Sequence, residues 1–115
     1  MDTTRGKASD IWDRYARTRD EGLRNELVIA YLPLVRYVAG RLRQQLPAFV
    51  DVEDLASYGV FGLVDAIDRY DPAWGTKFET FGAPRIRGAI LDELRALDWA
   101  PRSVRSAARG VERGV

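Results

Sequence analysis

The sequence predicts an all-α fold, a compact multi-helix bundle, and three observations carry that reading. Apolar residues recur at three- and four-residue steps along most of the chain. No stretch alternates apolar and polar residues as a half-buried strand does, and there is no internal repeat or low-complexity run. Pro47, the Asp71-Pro72-Ala73-Trp74-Gly75 stretch and Pro101 cut the periodic pattern into helix-length pieces.

Taken in order, residues 1–8 are polar and read as a flexible N-terminus, after which Ile11, Trp12, Tyr15 and Ala16 form an amphipathic stripe. Asp20 and Glu21 suit a second helix start. From Leu23 to Leu46 the residues Leu27, Ala30, Tyr31, Leu34, Val35, Val38, Ala39 and Leu42 share the helical period, with Pro33 expected to mark a joint because it lacks a backbone donor. Asp51 is a good N-cap for a third helix reaching about Tyr70, and Glu53 and Asp54 fall in its first turn, where the helix dipole favours anions. Thr76 and Glu79 have capping-box spacing and predict the start of a fourth helix, whose Ala83, Ile86, Ile90, Leu94 and Leu97 would face the core. Pro101 suits the first position of a further short helix with Val104, Ala108 and Val111 on one stripe. The expected organisation is a helical domain over 9–100, with 101–115 beginning a following, truncated domain.

At 115 residues and 46% hydrophobic content, the chain is sized for one core. It has no Cys and no His, so disulfides, thiolate nucleophiles and the usual zinc and copper ligands are excluded, and no metal site or cofactor is expected. No phosphate loop or nucleophile constellation is present, and Asp92 and Glu93, adjacent on a helix, point in different directions, which makes them a poor general acid/base pair. An enzyme is not expected. There is no signal peptide, and the apolar runs fall far short of the roughly 18 residues that span a bilayer. The expectation is a cytoplasmic protein with no membrane partner.

Charge is segregated: net +3 over 1–50, −5 over 51–75 and +3 over 76–115. Two kinds of partner are implied. In the third helix, Leu55, Gly59, Gly62, Leu63, Ala66, Ile67 and Tyr70 make one stripe, while Val60, Phe61 and Val64 point elsewhere beside Glu53, Asp54, Ser57 and Asp68. A helix apolar on two sides is either fully buried or holds a partner, and an acidic rim steers toward a basic one. The two glycines each cost about 1 kcal/mol in a helix interior relative to Ala. They imply close approach of another backbone, whether from this domain or from outside it.

Around the following turn, Trp74, Phe78 and Phe81 are interleaved with Thr76, Lys77, Arg85 and Arg87. Rings among cations are what an unpaired nucleic-acid strand requires, because each stacked base gains about 1–3 kcal/mol while the cations hold phosphates. The competing reading is that the rings are core. Phe81 shares a face with Arg85, Gly88 and Asp92, opposite Ile86 and Ile90, and so is the ring best placed for a ligand. Arg102, Arg105, Arg109 and Arg113 extend the basic surface, or form a solvated helix face. Sixteen of the eighteen basic residues are Arg, the side chain that both stacks and binds phosphate bidentately, although a GC-rich genome accounts for the total equally well.

Several segments together resemble a known family: Asp54-Leu55 through Gly62-Leu63, Ala66 to Asp71, Lys77-Phe78, Thr80-Phe81, Ile86 to Ile90 and Leu91 to Arg95. They resemble the second region of bacterial RNA polymerase sigma factors. The tail from Leu91 to Leu97, followed by Asp98 to Arg105, is similar to the flagellar and sporulation (FliA/WhiG-like) class. The resemblance implies an all-α region 2-like domain. It implies that Asp54, Ser57, Tyr58, Val60 and Val64, with Phe61 on the same ridge, dock on the clamp helices of the largest subunit of core RNA polymerase. It implies that the turn and fourth helix, with Phe78 and Phe81 at the base-capturing positions, bind the non-template strand of an AT-rich promoter element. An anti-sigma factor able to cover these faces is a further implied partner. Two departures stand out. Pro84-Arg85 occupies the place of a tryptophan pair that primary sigma factors use as a wedge, and Tyr31-Leu32-Pro33 the place of polar base contacts. Because this class continues into two further helical domains, the chain is expected to be a fragment. The alternative functions are a stand-alone helical regulator of duplex DNA and a pure protein-interaction domain.

Overall fold

In the computed structural model, which describes residues 3–97 and side chains from Asp10 onward, four helices are joined by short connections. They are α1 (Thr3–Thr18), α2 (Glu21–Arg43), α3 (Val52–Arg69) and α4 (Phe78–Ala96), with a single 3-10 turn over Pro72–Trp74. No strand occurs among the described residues. The third helix is central. It packs along both α2 and α4, and α1 lies mainly on α2.

Apolar periodicity explains why these segments are helices. Leu55, Gly59, Gly62, Leu63, Ala66 and Ile67 of α3 are buried as their spacing predicts, with Ala56 beside them. On α4 the buried residues are Phe78, Gly82, Ile86, Ile90 and Leu94, a run at four-residue steps. Fully enclosed side chains include Leu27, Val35, Leu55, Leu63, Ile67, Ile86, Ile90 and Leu94. Each such residue contributes about 1.5–3 kcal/mol through removal of apolar surface from water. Leu97, expected on the core stripe, is exposed at the C-cap of α4.

The glycines settle which backbone comes close. A Cβ at Gly62 would lie 2.5 Å from the Arg85 carbonyl oxygen and 2.8 Å from Ile86 Cα, and one at Gly59 would lie 2.9 Å from a Val35 methyl. The approaching backbone is α4 of the same bundle.

Three sequence expectations are corrected. Residues 1–8, expected to be flexible, are helical from Thr3. Once Ile11, Trp12 and Tyr15 are docked, extending a helix costs far less than nucleating one, and no Pro intervenes. Pro33 is not a joint, because α2 runs through it. It faces solvent, where water can meet the Ile29 carbonyl that loses its donor, while buried Leu27, Val35 and Val38 anchor the helix on both sides. Thr76 is not the N-cap of α4; Lys77 is, without a side-chain cap hydrogen bond. The Thr76 carbonyl instead accepts from the Tyr70 hydroxyl, and Gly75 at φ 81° turns the chain so that the helix begins at Phe78. The further helix expected after Pro101, and the domain boundary there, lie outside the described residues.

The two expected aspartate caps are in place. Asp20 accepts from the Leu23 amide at 3.1 Å and Asp51 from the Glu53 amide at 2.9 Å.

Candidate polymerase and nucleic-acid interfaces

The outer face of α3 carries the first candidate surface. Asp54 and Ser57 are exposed, Tyr58, Val60 and Val64 are half-buried, and Phe61 stands 75% exposed at the centre of the helix. A phenyl ring left in water at mid-helix is not explained by packing within this bundle. The acidic rim is smaller than the sequence suggested. Glu53 pairs with Arg36 of α2 at 2.9 Å, and the Ser57 hydroxyl donates to the Glu53 carbonyl at 3.1 Å. Burial chiefly, and then the charges of Asp54 and Glu93, push the Tyr58 phenol above its ordinary range. That ring therefore sits in a negative environment.

Asp68 is half-buried and is engaged by the bundle's own side chains rather than standing free on this rim. It accepts from the Tyr15 hydroxyl at 2.7 Å and pairs with Arg24 at 3.3 Å, while Arg19 donates to its backbone carbonyl at 3.1 Å. One residue at the end of α3 thus holds α1, the α1–α2 junction and α2. Arg19 occupies the left-handed region at φ 55°, and its guanidinium lies 5.0 Å from the Tyr15 ring.

The second candidate surface is a connected group of six rings. Trp12 of α1 meets Tyr70 at 5.0 Å and Phe78 at 5.3 Å between centroids, and its indole N–H donates to the Tyr31 hydroxyl at 3.1 Å. Tyr31 and Phe78 are 4.4 Å apart. Tyr70 then touches Trp74 at 5.9 Å and Phe81 at 5.6 Å, and Trp74 and Phe81 are 5.3 Å apart. The rings are graded from interior to surface. Phe78 is 3% exposed, Phe81 is half-buried and Trp74 is 54% exposed.

Phe78 is accordingly a correction. It was expected as a base-stacking ring, but it begins the four-residue core stripe of α4 and is enclosed by Trp12, Tyr31 and Tyr70. It braces the exposed pair without offering a face. Its three supporting rings were not singled out from the sequence, where Trp12, Tyr31 and Tyr70 read as ordinary core positions. The missed signal was that the apolar stripes of three different segments each carry an aromatic.

Around the exposed rings, Thr76 and Lys77 are exposed. Arg85 lies over Phe81 at 4.5 Å and approaches Asp65 at 3.7 Å, and the same Asp65 holds Arg69 at 2.8 Å. Gly88 is half-buried with nothing within 4 Å of an added Cβ, so the fold does not require a glycine there. Arg87 is exposed on the α2 side of α4. Arg102 and Arg105 lie outside the described residues. Among the described residues there is no group of acidic side chains able to hold a metal ion, and no helix is long and apolar enough to cross a membrane.

Known proteins are similar to this chain in sequence and in fold. The chain is 54% identical over 88 residues to the RNA polymerase sigma factor FliA of Yersinia enterocolitica, covering 76% of this chain and 38% of that protein. It is 41% identical over 105 residues to the RNA polymerase sigma-D factor of Bacillus subtilis, covering 91% and 41%. Among solved structures, a flagellar sigma/anti-sigma complex, Sigma-28/FlgM, superposes with a TM-score of 0.56 at 44% identity over 75% of this chain and 38% of that one. The chain therefore spans well under half the length of these relatives. The Sigma-70 region 2 family matches residues 27–100, a span that takes in most of α2, the whole of α3 and α4, the Phe61 ridge and every ring of the aromatic group except Trp12, and the chain belongs to that family, with relatives of the flagellar sigma factor class.

Proposed function

We propose that this chain is the part of a sigma factor that binds core RNA polymerase and captures an unpaired promoter strand, acting in the cytoplasm as a non-catalytic initiation subunit. The observation that carries this reading is the presence of two differently built exposed surfaces on one bundle. One is the Phe61 ridge of α3 with Asp54 at its edge; the other is the Trp74–Phe81 pair with Arg85 and Lys77 around it. The ridge, comprising Asp54, Ser57, Tyr58, Val60, Phe61 and Val64, meets the clamp helices of the largest polymerase subunit. The ring pair and its cations meet the non-template strand of an AT-rich element.

Magnitudes explain why both surfaces are needed. Unstacking a base from a duplex costs a few kcal/mol, and one base stacked on a ring returns about 1–3 kcal/mol. Two small rings roughly balance the opening of a short stretch but do not drive it. A polymerase that presents the duplex at high local concentration and holds the other strand tips the balance, which makes α3 docking a condition of promoter opening. An anti-sigma protein that covers either surface would silence the chain.

The test is a quantitative pull-down with core polymerase, paired with a promoter-opening assay. Asp54→Arg should lower retention by polymerase, whereas Phe81→Ala should spare retention and lower opening. Equal loss of both activities in Phe81→Ala, or unchanged retention after charge reversal at Asp54, defeats the assignment of the two surfaces. Tight, site-specific binding of duplex by the chain without polymerase identifies a stand-alone regulator instead.

A further inference from the structure

A cleft of about 410 Å³ lies between α2 and α4. Its floor is apolar, made by Val38 and Leu42, both buried. Its walls are Tyr37 and Arg41 from α2 and Pro84 and Arg87 from α4. Tyr37 is 61% exposed, a large ring left at the mouth of the cleft rather than used in packing. Arg41 lies 5.9 Å from the centroid of that ring and donates to its hydroxyl at 3.4 Å, so the guanidinium is held at the cleft while keeping other N–H groups free.

The charges are the decisive feature. Six arginines with described side chains pair with carboxylates: Arg14, Arg24, Arg36, Arg69, Arg85 and Arg95. Arg17, Arg19, Arg41, Arg43 and Arg87 pair with no described acidic residue, and two of these five, Arg41 and Arg87, line this one cleft. Two arginines lining one cleft make it locally positive, and a guanidinium fork matches phosphate geometry. An aromatic ring and a proline ring beside them offer flat surfaces for a base or sugar.

We propose that the α2–α4 cleft is a binding site for a phosphate-bearing nucleotide unit, with the phosphate on Arg41 and Arg87 and the base or sugar against Tyr37 and Pro84. The proposal builds on the promoter reading in one respect: Pro84 is one helical turn beyond Phe81, so a strand leaving the ring pair across α4 arrives at this cleft. A nucleotide in a DNA strand and a free nucleotide share the chemistry that the cleft recognises. The site adds Tyr37 and Arg41 of α2 to the nucleic-acid surface, and neither belongs to the ring-lined shelf.

The experiment uses the intact chain with two probes, a fluorescent single-stranded AT-rich 12-mer and adenosine 5′-monophosphate. Variants are Arg41→Gln, Arg87→Gln and Phe81→Ala, each checked for helicity by circular dichroism. Affinity for the 12-mer is measured from low to moderate salt. If the cleft holds a strand phosphate, Arg41→Gln and Arg87→Gln each lower the slope of log K against log salt by about 0.7, equivalent to about fivefold weaker binding near 0.1 M salt. If it holds a free nucleotide, the slope is unchanged, while the monophosphate shifts the Tyr37 ring resonances in NMR spectra and Arg41→Gln abolishes the shift. An unchanged slope together with no Tyr37 shift overturns the cleft proposal. In that outcome, weaker 12-mer binding by Phe81→Ala keeps the promoter reading standing, and its absence removes that reading as well.

Discussion

Two glycines, 62 and 88, should respond to the same substitution in opposite directions. At Gly62 an added methyl meets backbone: the Arg85 carbonyl oxygen at 2.5 Å, Ile86 Cα at 2.8 Å and Ala89 Cβ at 2.9 Å. None of these atoms can rotate away, so α3 and α4 must separate. The intrinsic helix gain of Ala over Gly is about 1 kcal/mol, while overpacking a well-filled contact costs about 1–3 kcal/mol or more. The rigid neighbours select the upper end, giving a net loss of about 2 kcal/mol for Gly62→Ala and a fall in Tm of about 8 °C or more for a domain of this size. At Gly88 no atom lies within 4 Å of the added methyl. Gly88→Ala should therefore stabilise the fold by about 0.5–1 kcal/mol. Thermal and urea unfolding followed by circular dichroism read both. On the proposed function Gly88→Ala also weakens strand capture, because the methyl occupies space that a nucleotide needs. A destabilised Gly88→Ala would refute the open-space argument, and a stabilised one with undiminished strand binding would remove Gly88 from the interface.

The ring pair Phe78 and Phe81 should separate stability from binding. Phe78→Ala should cost about 3–5 kcal/mol, whereas half-buried Phe81→Ala costs less and acts on strand binding; equal unfolding midpoints would contradict the burial difference. Asp68→Ala should cost about 1.5–2 kcal/mol, mostly through the Tyr15 hydrogen bond, since the Arg24 pair is partly solvated and contributes about 0–1 kcal/mol. In a double-mutant cycle with Tyr15→Phe, strict additivity would show that the two side chains do not interact. Tyr15, Tyr31, Tyr58 and Tyr70 all have phenols pushed above the ordinary value of 10.0, by burial first, and at Tyr15 next by the hydrogen bond to Asp68. Their neutral forms are favoured in the folded chain, so this stabilisation is complete below about pH 10, the unfolded phenol value, and is lost as pH rises through the higher folded values. Chemical unfolding should show stability falling above pH 10, with a shallower fall in Tyr15→Phe; an identical pH profile for that variant would exclude Tyr15 as a contributor.

Period and capping made much of the bundle legible in the sequence. The α3 stripe from Leu55 to Ile67, the α4 stripe from Ile86 to Leu94 and the Asp20 and Asp51 caps depend on spacing within one helix, and the sequence displays that spacing directly. What escaped depends on contacts between distant segments. Thr76 and Glu79 have the spacing of a capping box, but Tyr70, six residues earlier, uses the Thr76 carbonyl and the helix starts one residue late. Pro33 disfavours a helix locally, yet its solvent-facing position makes the lost hydrogen bond tolerable. Phe78 and Phe81 look alike as residues near a basic helix start. Only the placement of Trp12 and Tyr31, 66 and 47 positions earlier in the chain than Phe78, assigns one to the interior and leaves the other at the surface. The cleft at Arg41 and Arg87 was illegible for the same reason, because its walls come from helices that the chain separates by α3.

Arg85 shows how a cation beside a half-buried ring can serve strand capture on the proposed function. Its guanidinium already covers Phe81 at 4.5 Å, so a base arriving on that face must compete with it. The contacts holding it are weak ones: an exposed cation–π contact is worth about 0.5–1 kcal/mol, and the 3.7 Å approach to Asp65, a carboxylate shared with Arg69, belongs to the class of surface pairs worth about 0–1 kcal/mol. A stacked base returns about 1–3 kcal/mol, which meets or exceeds what is lost. The displaced guanidinium stays next to the ring, where the phosphate of the captured nucleotide can take it from Asp65. Asp65 keeps Arg69 at 2.8 Å and is not left unpaired by the exchange. On the proposed function, then, Phe81 is shielded in the free chain by a group that becomes a phosphate contact on capture, and strand binding needs no rearrangement of the helices.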